Sequence, residues 1–464
     1  MQTKNLLTAR FCESTSRRTD SSLCRIVCRT AVFFFLVLLG ETGWSQGTRL
    51  WATYYGGPFS DYGQSIATDA SGNVYLSGYT GSSSGIASGG FQNTYGGGLY
   101  DAYLVKFNSA GVRQWATYYG SGYVEARTVA TDALGYVYLA GFTDSNTGIA
   151  SGGFQNTYGG GIWDAFLVKF NTAGVRQWAT YYGGSGEEAA YSVASDAAGD
   201  VYLTGYTMST SGIASGGFDN IYGGGGAYDA FLVKFSSTGA RLWATYYGGI
   251  ADDFSNGVTT DASGNVYIAG RTNGTTGIAS LGFQNTYGGG STDAFLVKFA
   301  ASGARLWATY YGGTGNDYGT AAATDASGNI YLAGTTSSTV GIASGGFQNT
   351  FGGGVVAFLA KFDAAGSRLW ATYYGGATSD YGNSVATDAS GNVYLAGLTT
   401  SATGIASMGF QNTIGGGNDA FLVKFNAVGN RYCATYYGDS GDDQGISVAT
   451  DAAGSVYLGG YTDA

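Results

Sequence analysis

Beyond residue 47 the chain consists of short Tyr- and Val-rich runs, separated by clusters of Gly, Ser, Asn and Asp. Some runs alternate apolar and polar positions and others are continuously apolar for five or six residues. In the first full unit they predict four strands, at residues 65–69, 74–79, 102–107 and 113–119, each too short for a helix and bounded by turn residues. DASGN (69–73) joins the first two and NSAG (108–111) joins the last two. Both connectors contain a Gly able to take positive φ and an Asp or Asn able to bond its own backbone, so each pair reads as a hairpin.

The same unit recurs through the rest of the chain. It is marked by Trp51, Trp115, Trp178, Trp243, Trp307 and Trp370, with Cys433 in the seventh Trp position, at spacings of 64, 63, 65, 64, 63 and 63 residues. A constant period of this length in a chain without helical patterning points to propeller blades rather than a helical solenoid. The first strand carries small residues (Ala67, Thr68), which suits the crowded axis, whereas AFLVKF and LWATYYG carry the large side chains needed in the wider outer gaps. The expectation is an all-β, seven-bladed β-propeller of four-stranded antiparallel blades over 47–464, with the last blade incomplete. The chain enters on an outer strand and stops after two inner strands, so either a further AFLVKF unit follows or the last blade has three strands; the first is favoured, because an unpaired edge invites aggregation.

Antiparallel strands place the DASGN and NSAG turns on one face of the disc. The YGGxxxD loops and the segment GIASGGFQNTYGGG, part of a connection of roughly 20 residues, fall on the other. Function is expected on this long-loop face, because binding residues concentrate on loops held by a rigid scaffold.

The run GGxxxDxxxSVATDASGNVYLAGYT, followed by DAFLVKF, closely resembles the SBBP β-propeller repeat family, over residues 48–462. The resemblance implies a propeller in exported or surface bacterial proteins and carries over no catalytic residues.

Composition agrees with a folded all-β chain: 82 Gly, 38 Tyr and 25 Phe against a single Pro, with 44% hydrophobic residues, which excludes disorder. Residues 1–46 hold six Lys/Arg and three Asp/Glu, leaving 15 basic against 28 acidic groups, a net of −13. That balance argues against nucleic acid and anionic membrane as partners. The apolar run at 31–40, with Arg25 and Arg29 before it and WSQG after it, has the layout of an export signal. It is too short to span a membrane comfortably, so residues 1–46 read as a leader cleaved near Ser45 or Gln46, with an over-extended start or an uncleaved anchor as the alternatives, and the mature protein as secreted or displayed on the outer cell surface. Cleavage would leave Cys433 as the only cysteine, a small buried stand-in for Trp.

Histidine is absent, which removes Ser-His-Asp and Cys-His catalysis and the usual zinc sites. Carboxylates are the remaining reactive set. Asp61, Glu125, Glu187, Asp252, Asp317, Asp380 and Asp442 recur after the outer strands and form a candidate cation ring, for which Ca²⁺ is the metal that favours several oxygen ligands. The competing reading is that each caps its own loop, and no loop has the dense D-x-D-x-D-G spacing of a calcium loop. The DASGN aspartates read as turn formers. The GGG stretches precede strands, not the helix N-terminus that a phosphate cradle needs.

Six Lys in AFLVKF and seven Arg before the Trp position account for all but two of the basic residues beyond 46, and recurrence in nearly every unit reads as fold maintenance. Tyr123, Arg127, Trp163, Arg271 and Val356 break the repeat, but are spread over more than one unit and are equally well explained by drift.

Together these features predict a non-enzymatic binding module that takes a glycan or protein on the long-loop face. Phe91, Phe154, Phe218, Phe283, Phe347 and Phe410 recur there, either as ligand contacts or as pins for the loop. The alternatives are a polysaccharide lyase or hydrolase using Glu187 and Glu188, which as neighbours in an extended segment point to opposite sides, and a structural spacer in a larger surface protein.

Overall fold

The computed structural model describes residues 31–38, by backbone alone, and 48–463. These form an all-β propeller of four-stranded antiparallel blades: six complete, and a partial seventh. The first blade runs from the axis outward as Asp61–Thr68, Val74–Thr80, Asp101–Phe107 and Arg113–Tyr119, and the next five repeat it. The seventh is composite. Its two inner strands are Asp443–Thr450 and Ser455–Thr462 and its outer strand is Thr48–Tyr55, with the backbone of Ala31–Leu38 paired between them. The expectation of seven four-stranded blades with the last incomplete is met in part: six blades are complete and the seventh is partial, with no counterpart of the long loop belonging to it among the described residues. The run read as the apolar part of a leader falls at this third strand, and residues 1–30 and 39–47 lie outside the described residues.

DASGN folds as predicted. Asp69 Oδ1 accepts the amides of Ser71 and Asn73 at 2.9 and 3.0 Å, Gly72 takes φ +74°, and the Tyr75 hydroxyl donates to Asp69 Oδ2 at 3.0 Å. The inner strands, however, begin four residues earlier than the sequence suggests, at Asp61 rather than residue 65.

Three sets of contacts join blade to blade. At the axis a Thr or Ser hydroxyl of each inner strand donates to the backbone carbonyl of the preceding one, at 2.7–3.0 Å. These seven bonds close a ring through Thr68, Thr131, Ser195, Thr260, Thr324, Thr387 and Thr450. Further out, six indole N–H groups donate to a carbonyl in the next blade's hairpin, as Trp243 does to Ala301 at 2.9 Å, and Trp51 closes the circuit onto Ser109 at 3.0 Å. Cys433, in the seventh Trp position, is half-buried rather than buried.

At the rim each long loop folds back along its own outer strand, with bridges such as Ser88 to Ala116 and Gln92 to Tyr118. The repeated Arg of the next blade lies over its Phe, 4.3–4.8 Å from the ring centre.

Every inner strand carries a bulge. In the first blade the register shifts between Gly63 and Ser65, so Gln64 is the extra residue. A glycine of the second strand makes room for it: a Cβ on Gly78 would lie 1.8 Å from the Tyr62 carbonyl oxygen, and one on Gly270 would lie 1.9 Å from that of Phe254. Gly270→Ala is therefore expected to cost about 1–3 kcal/mol of stability by overpacking, measured by urea unfolding.

Candidate functional site: the axial cavity

The seven bulges all point to one place. Their extra residues, Gln64, Arg127, Tyr191, Asn256, Thr320, Asn383 and Ile446, line an axial cavity of about 820 Å³. A bulge leaves its residue out of the ladder and re-aims its side chain, here toward the axis. In a repeat this uniform, the bulge is occupied by six different residue types in seven copies. The other lining residues, among them Asn316, Tyr318, Ser337, Val355 and Tyr381, come from the starts of inner strands, the ends of second strands and adjoining loops. The cavity therefore opens on the face of the YGGxxxD loops.

An aromatic belt runs round this mouth. Tyr62 stacks on Tyr79 at 4.7 Å between ring centres, Tyr123 meets Trp163 at 4.9 Å and Phe142 meets Trp163 at 5.3 Å. Tyr206 lies 5.5 Å from Tyr191 and 4.8 Å from Tyr228. Most of the belt rings are half-buried, with surface left toward solvent. Arg271 lies over Phe254 at 4.5 Å and over Tyr318 at 5.6 Å. Arg127 pairs with Glu125 at 2.5 Å and lies over Phe142 at 5.3 Å. Four of the five repeat-breaking residues, Tyr123, Arg127, Trp163 and Arg271, thus come together at the axial opening. Val356 stands apart, as the first residue of a third strand.

The carboxylates do not converge. Asp61, Asp317 and Asp380 are fully buried first residues of inner strands, and each accepts an amide of its own loop: Gly57, Gly313 and Gly376, at 2.7, 2.8 and 2.8 Å. They also accept hydroxyls of the second strand and the turn after it, including Thr80 and Ser82 for Asp61. In three units that position belongs to the second acid of the pair, Glu188, Asp253 or Asp443, so Glu187, Asp252 and Asp442 lie one residue earlier. Glu187 accepts the Tyr206 hydroxyl at 2.8 Å, Asp252 the Tyr228 amide at 3.0 Å, and Asp442 an Asn418 side-chain N–H at 3.0 Å. Glu125 lies one residue past that position and is held by Arg127. Among the described residues no three acidic side chains gather closely enough to hold a metal ion.

Phe91, Phe154, Phe218, Phe283, Phe347 and Phe410 lie away from the cavity mouth, at the outer rim under the next blade's Arg. The repeated Lys pair with the DASGN aspartates, as Lys234 with Asp196 at 3.2 Å and Lys361 with Asp325 at 3.3 Å.

Among known proteins the chain is 24% identical to an uncharacterized WD repeat-containing protein of Acanthamoeba polyphaga mimivirus over 89% of its own length, and spans 36% of that protein. Among solved structures it is similar to the WD40 domain of Neurospora crassa Pan2 (10% identity, TM-score 0.44, 86% of this chain and 89% of that one). It is also similar to a Xanthomonas campestris gluconolactonase (11% identity, TM-score 0.34, 72% and 82%). The SBBP beta-propeller repeat model matches residues 50–85, 242–278, 306–341 and 369–403, so the chain carries four matched copies of that repeat.

Proposed function

We propose that this protein is a non-enzymatic, exported binding module that takes a saccharide into the axial cavity. The observation that carries the reading is the bulge position: the repeat holds its packing residues nearly constant and varies the bulged side chain that each blade turns toward the axis. Flat aromatic surfaces suit the apolar faces of sugar rings, and amide, hydroxyl and guanidinium groups suit their hydroxyls, the mixture expected of a pocket that orients a polar ligand. Closure of seven inner strands supports treating the ring as a seven-bladed unit. The basic, apolar and polar layout of residues 1–46 supports export.

A glycan array followed by titration calorimetry tests the reading. Tyr191→Ala and Asn256→Ala are each expected to weaken binding of the best saccharide by at least about tenfold, about 1.4 kcal/mol, while Phe283→Ala at the rim leaves it unchanged. Loss of binding only in the rim variant would move the site to the long loops.

A further inference from the structure

Of the 15 basic residues beyond residue 46, thirteen serve repeated structural positions at the rim and hairpins. The two left over are Arg127 and Arg271, and both line the axial cavity. Among the described residues no Asp or Glu lines it, although the chain as a whole carries a net charge of −10. The two guanidinium groups are not equivalent. Arg127 is already matched by Glu125 at 2.5 Å. Arg271 makes no ion pair or hydrogen bond among the described residues and rests on the faces of Phe254 and Tyr318. The acids nearest in sequence and in the belt are engaged elsewhere, Asp252 by the Tyr228 amide and Glu187 by the Tyr206 hydroxyl. Tyr191 lies within the field of both cations: burial pushes its hydroxyl pKa up, and Arg127 and Arg271 pull it down.

We propose that the cavity selects saccharides that carry a carboxylate, as uronic acids do, and that Arg271 is the group that meets it. A guanidinium holds five donors in a planar fork that matches a carboxylate with two parallel hydrogen bonds. One unmatched positive charge balances one carboxylate, and partial exclusion of water by the aromatic belt strengthens the attraction. Stacking on Phe254 and Tyr318 fixes the plane of the fork before the ligand arrives, which lowers the ordering cost of binding. The inference rests on the saccharide reading above and names its ligand class.

The test uses the full chain and three probes: oligogalacturonates, the same oligomers fully methyl-esterified, and sodium acetate. Calorimetry gives affinities, and the side-chain Nε–H NMR signal of Arg271, assigned by its loss in Arg271→Gln, reports contact. The acid oligomer is expected to bind at least about tenfold tighter than the ester, to move the Arg271 signal, and to fall to the ester's affinity in Arg271→Gln, with partial recovery in Arg271→Lys. Equal affinity for acid and ester, both unaffected by Arg271→Gln, would overturn the carboxylate assignment and leave saccharide binding standing. If neither oligomer binds but acetate moves the Arg271 signal saturably, the carboxylate site stands and the saccharide reading falls. If acetate and both oligomers leave the signal unmoved, the inference is overturned.

Discussion

Trp243→Ala is expected to lower stability by about 3–5 kcal/mol in urea unfolding, the range for truncating a buried Trp. The indole fills the junction between two blades. It meets Tyr202 at 6.0 Å in its own blade, and in the next a Cβ on Gly303 would come within 2.9 Å of its ring. Its N–H donates to the Ala301 carbonyl at 2.9 Å, which Ala would leave without that partner. Trp243→Phe keeps most of the volume and is expected to cost nearer 1 kcal/mol, mainly the hydrogen bond. Because the junctions at Trp178 and Trp307 are built in the same way, the cost should be similar there. A loss below about 1 kcal/mol in the Ala variant would show that the indoles do not hold the blades together.

Stability is expected to rise as pH falls from 8 to about 4, opposite to a protein held by ionised carboxylate pairs. Burial pushes Asp101, Asp164, Asp253 and Asp293 up to about 7 and Asp229 up to about 6, against hydrogen bonds from nearby backbone amides that favour the ionised form. Asp293 is raised further by Asp317 of the following blade, and Asp253 by Asp229 in the same manner. One oxygen of each of these five aspartates is buried without a hydrogen-bond partner. An unfolded Asp titrates near 4. Between that value and about 7 the folded state therefore binds protons that the unfolded state does not, and this contribution is fully present below pH 4 and lost as pH rises through 7. The urea midpoint should be higher at pH 5 than at pH 8. Asp293→Asn should raise the midpoint at pH 8, change it little at pH 5, and so flatten the profile. A midpoint that falls on acidification between pH 8 and 5 would contradict this.

Much of the propeller is legible from turn chemistry and period alone. DASGN and NSAG fix two hairpins per unit because Asp69 and Asn108 each accept amides of their own turn, an interaction that needs no tertiary context. The large residues of AFLVKF and the Trp strand fill the outer gaps as the radial taper requires. What the sequence hides is the bulge. The stretch Asp61–Gln64 looks like loop because Gly63 and polar neighbours interrupt the apolar pattern. Only the pairing of Gly63 with Gly78, and of Ser65 with Ser77, shows Gln64 to be an extra residue inside a strand. For the same reason the differences among Gln64, Arg127, Tyr191 and Asn256 resemble drift when the units are laid out in a row, and become one wall of a cavity when the row is closed into a ring. The signal available in the sequence is this column of variation within a constant frame. The Phe series is the opposite case, a repeat legible in the sequence whose contact is not. The long loop bonds to its own outer strand, and its Phe, although exposed, has an Arg of the next blade over its ring, as Phe283 has Arg368, a contact that only blade packing creates.

The central claim, that the ligand occupies the axial cavity, is tested most directly by narrowing the cavity. Gln64→Trp places an indole at a bulge position in the cavity wall. The Gln64 side chain accepts a long hydrogen bond there, from Arg127 at 3.4 Å, so the exchange should cost the fold little. Calorimetry with the saccharide that binds the unmodified protein should show at least about tenfold weaker binding in Gln64→Trp, with the thermal unfolding midpoint unchanged. Undiminished affinity in a variant with an indole set into the cavity wall would place the ligand elsewhere and contradict the account.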